Sequence, residues 1–509
     1  MSKFRETNRR EEFLLPPSVE DFIPAGHLAR LVDEVVSKLD LDPIEQKYSY
    51  LGRKGYAPSV LVKIIFYGYA IGERSSRVLA RRCETDLAYM FLAEMERPDF
   101  RTISDFRKNN LAELKALFRD IVVLCQKMGL GCGGRLFIDG SKILANAAAK
   151  RTKDEKKLNE YRVELQKAID DAFAEAERVD EEEDREYGDR RGDELPEELR
   201  KKADRLRKID EAIRRLKEEG EKSINLTDPD AKKMKTRGGI RPGYKAQAVV
   251  TGDGVIVAQD VVCEANDLNQ LKPMTELAET VLTEPLSKVI ADGGYGTYDN
   301  LGYLKERGID GYLHDFYGDI HAFLTGSKED KEFHRFNFAY DEKADEYICP
   351  RCKRLKFRKT RKRGNQTILY YEGTECETCP VRPLCTKGEV RTLSLDTRTP
   401  LVLEMLEKLR TPEGEAIYKK RMSTIEPVFG NTKFNLGFDR FLLRGHEKVK
   451  GEYSLMSIGH NIGKMYQKVK EDVKKTGQSV REFFKGLAEE AAKAIMENGK
   501  ASFNTIYVC

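Results

Sequence analysis

Two Asp-Gly steps close apolar runs in this chain: Asp139 in "GRLFIDGSK" and Asp292 in "LSKVIADGGYGT". Asp253, in the "TGDG" that joins "YKAQAVV" to "VIVAQDVV", carries a hairpin-turn signal and is read as structural. Neither Asp139 nor Asp292 is followed by an immediately returning strand. They are read either as turn residues or as carboxylates at strand ends, where an open α/β sheet collects its ligands. The remaining inventory narrows the chemistry. Six His are scattered without ligand spacing, and GxxxxGK[ST], GxGxxG after a strand, HExxH and GxSxG are all missing from the sequence. Carboxylates are then the ligands to consider. Hard oxygen donors select Mg²⁺ or Mn²⁺, and two such ions held by a few acids are the recurrent solution for in-line phosphoryl transfer on nucleic acid. That chemistry needs a third acid. Glu426, in "RMSTIEPVFGNTK", is open to two readings. Ser423-x-x-Glu426 fits a capping box with Pro427 in the first helical turn, and the same Glu could be a metal ligand.

The most specific local spacing is Cys349-x2-Cys352 followed by Cys376-x2-Cys379, with Cys385 beyond. Two such pairs predict a tetrahedral thiolate cage for a structural Zn²⁺, as in zinc ribbons, with Cys385 a surplus thiol able to replace one of the four. Nine of the thirteen residues from 351 to 363 are basic: Arg351, Lys353, Arg354, Lys356, Arg358, Lys359, Arg361, Lys362 and Arg363. With "ILYY" close by, this strip suits DNA phosphates; the plainer alternative is a solvated edge of the ribbon.

The elements that must position these residues divide by periodicity. Residues 1–130 show apolar spacing of three and four in "SVLVKIIFYGYAIG" and "LAELKALFRDIVVLCQKMG", which predicts an all-α N-terminal domain. The Arg-rich stretch between them fits a DNA-binding helix-turn-helix or a bundle with a solvated basic face. Over 131–149 and 223–345, short β-branched runs predict an α/β core, including a βαβ unit that ends in "IDGYLHDF". Residues 150–222 predict a charged helical hairpin inserted into that core. Its apolar positions are Leu158, Tyr161, Leu165, Ala168 and Ala172, then Leu199, Leu206, Ile209, Ile213 and Leu216, with "DEEEDREYGDRRGDELP" at the tip. The Cys-rich basic insert occupies 346–390, a second part of the core with the Glu426 helix 391–470, and a charged helical tail 471–509.

The 509 residues carry a net charge of only +4, with the two signs strongly segregated. The longest apolar run, "VLVKIIFYGYAI", contains Lys63 and is too short for a bilayer, so no membrane partner is expected. No charged-then-apolar leader opens the chain, which predicts a reducing, cytoplasmic setting. There the ten Cys are not expected to form a disulfide framework.

"FIDGSKI", "VIADGGYGT" and "RMSTIEPVFGNTK", in that order, resemble the three catalytic motifs of DDE-type bacterial insertion-sequence transposases. The resemblance runs over most of the chain, from the helical segment with "RPDFRTISDFR" through the Cys-rich insert to the closing "SLMSIGHNIGKMYQKVK". It implies an RNase H-like core with Asp139, Asp292 and Glu426 as catalytic, Mg²⁺- or Mn²⁺-binding acids. A Tyr-Arg-Glu-Lys signature is matched by Tyr418, Arg421, Glu426 and Lys433, and Tyr418, Arg421 and Lys433 would support the site and hold DNA phosphates. Four residues separate Arg421 from Glu426 where the commoner signature has three. The implied protein binds the terminal inverted repeats of its element, cleaves and joins double-stranded DNA, acts as a homodimer on DNA ends and target, and is associated with the nucleoid. Two other readings stay open: a DNA-binding regulator that does not cut, and a metal-dependent nuclease without strand transfer.

Overall fold

The computed structural model describes residues 18–49, 55–187, 197–236, 238–314, 332–363 and 366–486. The hairpin tip from 188 and the tail from 487 lie outside the described residues. The N-terminal part is helical, with α1 (Leu28–Val36), α2 (Pro58–Ala70), α3 (Ser76–Thr85), α4 (Leu87–Leu92), α5 (Phe100–Asn109) and α6 (Leu111–Lys127). Local chemistry sets the starts: Pro58 opens α2, and the Asp99 carboxylate caps α5 by accepting the Arg101 and Thr102 amides. α2 is buried from Val60 to Tyr69, and the Lys63 within it is balanced by Asp33 at 2.7 Å and Glu94 at 3.0 Å.

β1 (Arg135–Leu144) then starts a mixed sheet. The chain leaves it at once for a helical hairpin of α7 (Glu155–Tyr187) and α8 (Glu197–Glu219), whose small core joins Leu158 to Ile209, Ile213 and Leu216. At the base of the hairpin Thr152–Lys153 pairs antiparallel with Ile224–Asn225. The sheet resumes with β2 (Lys232–Thr236), β3 (Gly239–Val250), β4 (Ile256–Val262), β5 (Lys288–Ala291) and β6 (Asp310–Leu313). β3 is long enough to pair β2 with its first half and β4 with its second, both antiparallel, while its other edge pairs antiparallel with β1. β1, β5 and β6 run parallel. α9 (Leu271–Glu279) follows β4, and α10 (Tyr298–Glu306) crosses from β5 to β6 as a βαβ unit requires.

A second, five-stranded antiparallel sheet follows in simple chain order: β7 (Ala339–Asp341), β8 (Glu346–Ile348), β9 (Arg354–Arg363), β10 (Gln366–Gly373) and β11 (Thr392–Asp396). Its small core is Phe338, Leu355, Tyr371 and Leu393. α11 (Thr399–Arg410), α12 (Pro412–Gly430) and α13 (His446–Thr476) follow, and the described chain ends in a further helical stretch from 480 to 486. Among the described residues no helix is long and apolar enough to cross a membrane.

α13 is buried on every side from Gly451 to Ile462, packed on α2 and α6 of the N-terminal helices and on β4 of the sheet. The crossing with α2 is close because residue 459 is Gly: a Cβ there would stand 2.6 Å from the Tyr69 backbone carbonyl. Gly463, one turn on, faces open space. Gly459→Ala should therefore destabilise the fold by about 1–3 kcal/mol, as overpacking against a fixed backbone does. Gly463→Ala should be neutral or stabilising by up to about 1 kcal/mol. Thermal melts of the two variants beside the unmodified chain check the pair; equal melting temperatures would remove the close crossing.

Candidate functional site

Asp139 does not end its strand, and Asp139-Gly140 is not a turn. β1 runs on to Leu144, and Asp139 lies within it opposite Ala248 of β3. What stops at this point is the parallel pairing with β5, whose last pair is Ile138 with Ala291. Asp139 and Asp292 are thus the next residues along two adjacent parallel strands, which sets their backbones about 5 Å apart. Asp292 leaves the sheet and caps the short turn Gly293–Tyr295, accepting the Gly294 amide at 2.9 Å. Asp139 accepts the Gly140 amide at 2.7 Å.

The glycines after both Asp residues have a steric origin. A Cβ on Gly140 would lie 2.6 Å from an Asp267 carboxylate oxygen, 2.6 Å from Gln247 Nε2 and 2.7 Å from Lys245 Cε. One on Gly294, two residues after Asp292, would lie 2.9 Å from the Asp292 carboxylate and 3.2 Å from the other Asp267 oxygen. A buried carboxylate, Asp267, therefore stands beside both acids. It is ion-paired with Lys245 and accepts from Gln247 Nε2 at 2.6 Å, and Gln247 in turn accepts from the buried Tyr295 hydroxyl. Sequence reasoning passed over this group. Its signal was Lys245 and Gln247 at alternate positions of the otherwise apolar "YKAQAVV", two polar side chains on one face of a buried strand.

Glu426 is not a helix cap. α12 starts at Pro412, capped by the Thr411 hydroxyl, so the Glu lies deep within a helix that continues through Pro427. The Ser423 hydroxyl bonds back to the Lys420 carbonyl. Pro427 withholds an amide from the Ser423 carbonyl, but both residues are exposed, so water can replace that bond. Arg421 links the helix to β1: its guanidinium, only 16% exposed, lies 3.3 Å from Asp139 and 3.4 Å from Glu426. The Tyr418 ring lies 5.9 Å from that guanidinium. Beyond Gly430 the helix widens into the turn Asn431–Asn435, from which Lys433 donates to the Ser141 hydroxyl at 2.6 Å and the Lys142 carbonyl at 2.7 Å.

Charge crowding shows in the acids. Asp139 is raised to about 6, by burial first and then by the Asp292 charge, with Asp267 adding; the Gly140 amide and Arg421 oppose the shift. Asp292 is raised too, by burial and then by Asp267. Among the described residues, no three His, Cys, Asp or Glu side chains stand together as a ready metal cluster.

In the second sheet, Cys349, Cys376, Cys379 and Cys385 line one small cavity of about 30 Å³, while Cys352 is exposed, with a backbone φ of 58°. The Lys353 amide donates to the Cys349 sulfur at 3.3 Å and the Arg391 amide to the Cys376 sulfur at 3.4 Å. The basic strip divides. Arg351 pairs with Glu332, Lys353 with Glu375, Arg354 with Glu346 and Arg358 with Glu372. Lys356, Lys359, Arg361 and Lys362 are exposed and make no ion pair with the described residues; the side chain of Arg363 lies outside them.

Two family models match the chain. One, described as a transposase DDE domain, covers residues 348–466, and one described as a transposase domain covers 17–109. The first includes Glu426 but neither Asp. No curated protein and no solved structure matches the chain.

The raised Asp139 makes a signed prediction. Its folded value of about 6 exceeds the ordinary 3.8, so proton uptake by the folded chain stabilises it below about pH 4, and this contribution is lost as pH rises through about 6. At pH 7.5 without divalent ions, Asp139→Asn should then be more stable than the unmodified chain by on the order of 1–2 kcal/mol. The gap should narrow as pH falls through about 6 and close only by about pH 4. Melting curves across this range test it, and a gap independent of pH would remove the charge-crowding account.

Proposed function

The chain is a transposase-family protein, and from that premise we propose that it cleaves and rejoins DNA at a carboxylate site made by Asp139, Asp292 and Glu426 on an RNase H-like core. One observation carries the reading: two acids far apart in sequence follow each other on paired parallel strands, and Arg421 ties the third to the first. The sheet, an antiparallel β1-β3-β4 meander continued by parallel β5 and β6, supports the core assignment.

The donor set suits a hard divalent cation, because buried, crowded carboxylates with raised pKa are short of positive charge. Bound by these three acids, Mg²⁺ or Mn²⁺, in a pair, would activate the attacking oxygen and stabilise the leaving one. The chain's own residues do the rest. Lys245 pairs with Asp267 and so reduces, without cancelling, the third negative charge beside Asp139 and Asp292. Arg421 holds the Glu426 helix against β1, Tyr418 flanks that guanidinium, and Lys433 braces the strand beyond Asp139. Lys356, Lys359, Arg361 and Lys362 offer unpaired charge to DNA phosphates. Cys349, Cys376 and Cys379 with Cys385, in preference to Cys352, would hold a structural Zn²⁺; backbone amides already point at two of the sulfurs, as they do around metal-bound Cys. The partners in this reading are double-stranded transposon ends and target DNA, engaged by a homodimer.

The Arg421 bridge also favours a second reading, a regulator that binds ends without cutting, since a cation of the chain already joins two of the acids. Incubation with linear duplex carrying the element's ends and Mg²⁺ separates the readings. A transposase yields cleaved and joined strands, a plain nuclease yields cleaved strands alone, and a regulator yields a shifted band without cleavage. Glu426→Gln should cut at least about 10²-fold more slowly, as loss of transition-state charge stabilisation does. Its affinity for the ends should stay within about twofold, because phosphate contacts dominate it. For the Cys cluster, metal analysis of the reduced protein should find zinc, lost in Cys385→Ser and kept in Cys352→Ser; the opposite pattern would return the cage to the two CxxC pairs.

A further inference from the structure

The helical hairpin has no part in the chemistry above, yet it walls the largest groove described, about 870 Å³ between α7, α8 and the segment that follows β1. Lys150, Arg151 and Lys153 come from that segment, Arg205 and Lys208 from α8, and Arg444 from the loop before α13. A single carboxylate, Glu164, joins them in the lining.

A solvated basic face is the plain alternative, and the groove differs from it in gathering six cations from three segments around one exposed aromatic ring. Elsewhere on these helices four arginines are neutralised: Arg162 by Asp210 at 2.6 Å, Arg207 by Asp204, Arg214 by Glu211 at 2.6 Å and Glu218 at 2.9 Å, and Arg215 by Glu219 at 2.7 Å. In the groove none of the six cations makes an ion pair with the described residues. Arg444 donates to the Asn146 carbonyl, and Lys153 lies 5.1 Å over the ring of Tyr161, which is itself 40% exposed. Lys156, Lys157 and Lys167 on the outside of α7 are also exposed without an ion pair among the described residues, so what sets the groove apart is that cations from three separate segments converge on it. Unpaired positive charge beside an aromatic face matches a nucleic-acid backbone, with phosphates on the cations and a sugar or base on the ring.

The groove also continues toward the site. A second hollow shares Lys150 with it and adds Arg241 and Arg440. Arg440 bridges to Leu144 at the end of β1, the strand that carries Asp139.

We propose that this groove is a second DNA site, gripping the phosphate backbone of the duplex that leaves the carboxylate centre, and that the hairpin is inserted after β1 to form its outer wall. The proposal rests on the DNA-acting reading of the chain. It goes beyond that reading by assigning the hairpin, which contributes nothing to the acids, a phosphate-binding role.

The test is the salt dependence of duplex binding by the full chain, read by fluorescence anisotropy with a labelled 30-base-pair duplex in Mg²⁺-free buffer. Removing the cation that meets one phosphate should lower the slope of log affinity against log salt by about 0.9. A groove variant, Lys153→Gln with Arg205→Gln and Lys208→Gln, should lose about 2–3 from the slope and at least about tenfold in affinity at 150 mM salt. An outer-face variant, Arg162→Gln with Arg207→Gln and Arg214→Gln, removes the same charge and should lose less than about 1. A second groove variant on the hairpin alone, Arg205→Glu with Lys208→Glu, checked by its melting temperature, guards against misfolding and should weaken binding further. Equal slopes for the groove and outer-face variants would overturn the proposal. The catalytic reading fails separately: a wild-type chain that binds but never cuts, with a reduced slope in the groove variant, leaves the groove standing. A chain that binds no duplex at all ends both.

Discussion

A single buried carboxylate ties together the parts on which the site depends. Glu452, fully buried in α13, accepts the Leu442 amide at 2.9 Å and the Leu443 amide at 2.8 Å, and it meets Arg74 at 3.0 Å. Burial raises its pKa, while those amides and Arg74 pull the other way. Arg74 belongs to the N-terminal helices and also lies 5.0 Å over the Phe438 ring. The loop so held closes on β1: the Leu144 amide donates to the Asp439 carbonyl at 3.0 Å, and the Phe441 amide to the Leu144 carbonyl at 2.8 Å. One desolvated charge with all its partners therefore fixes the helical part, the closing helix and the far end of the strand that carries Asp139. Such a group is tolerated only while every partner stays in place.

The carboxylate centre follows the opposite logic. Asp139, Asp292 and Asp267 are crowded, and the cations beside them, Lys245 and Arg421, leave two of the acids with raised pKa. Stability is given up there, and in the proposed reading that crowded negative charge is what the chemistry uses. Gly140 and Gly294 belong to the same arrangement: Gly140 makes the room that Asp267 and its partners occupy, and Gly294 the room for the Asp292 and Asp267 carboxylates.

Much of the architecture was legible because its periods are strong: the apolar spacing of α2 and α6, the hairpin at Asp253 and the βαβ unit through α10 all appear as read. Asp253 is structural as expected, accepting the Thr251 hydroxyl at 2.6 Å and the Gly131 amide at 2.7 Å. The misreadings have local causes. An Asp-Gly step looks alike in a turn and in a strand where a distant side chain needs the missing Cβ, so the course of β1 past Asp139 was hidden. A Ser-x-x-Glu before a Pro looks like a helix start unless the earlier Thr411-Pro412 start is given precedence, and an exposed Pro427 interrupts little. Asp267 was invisible for another reason. It lies between β4 and α9 in no periodic run, and only tertiary packing brings it between the other two acids. The division of the basic strip was equally hidden, since its carboxylate partners come from neighbouring strands, Glu346 and Glu372, and from loops, Glu332 and Glu375.

That strip contains one irregularity with a wider consequence. Phe357 of β9 pairs with Tyr371 of β10, and Lys359 pairs with Tyr370, so Arg358 is an extra residue with no partner of its own. Before it, Leu355 and Phe357 share the core-side face with Tyr371, which leaves Arg354 and Lys356 on the other. A regular strand would then have sent Lys359 and Arg361 inward, toward the same small core. The inserted residue shifts the alternation by one step, and Lys359 and Arg361 join Arg354 and Lys356 on the outer face. The positive surface of this sheet is therefore set by phase as much as by composition: only Lys362 shares the face of Leu369, and without the offset Lys359 and Arg361 would be turned to that face as well.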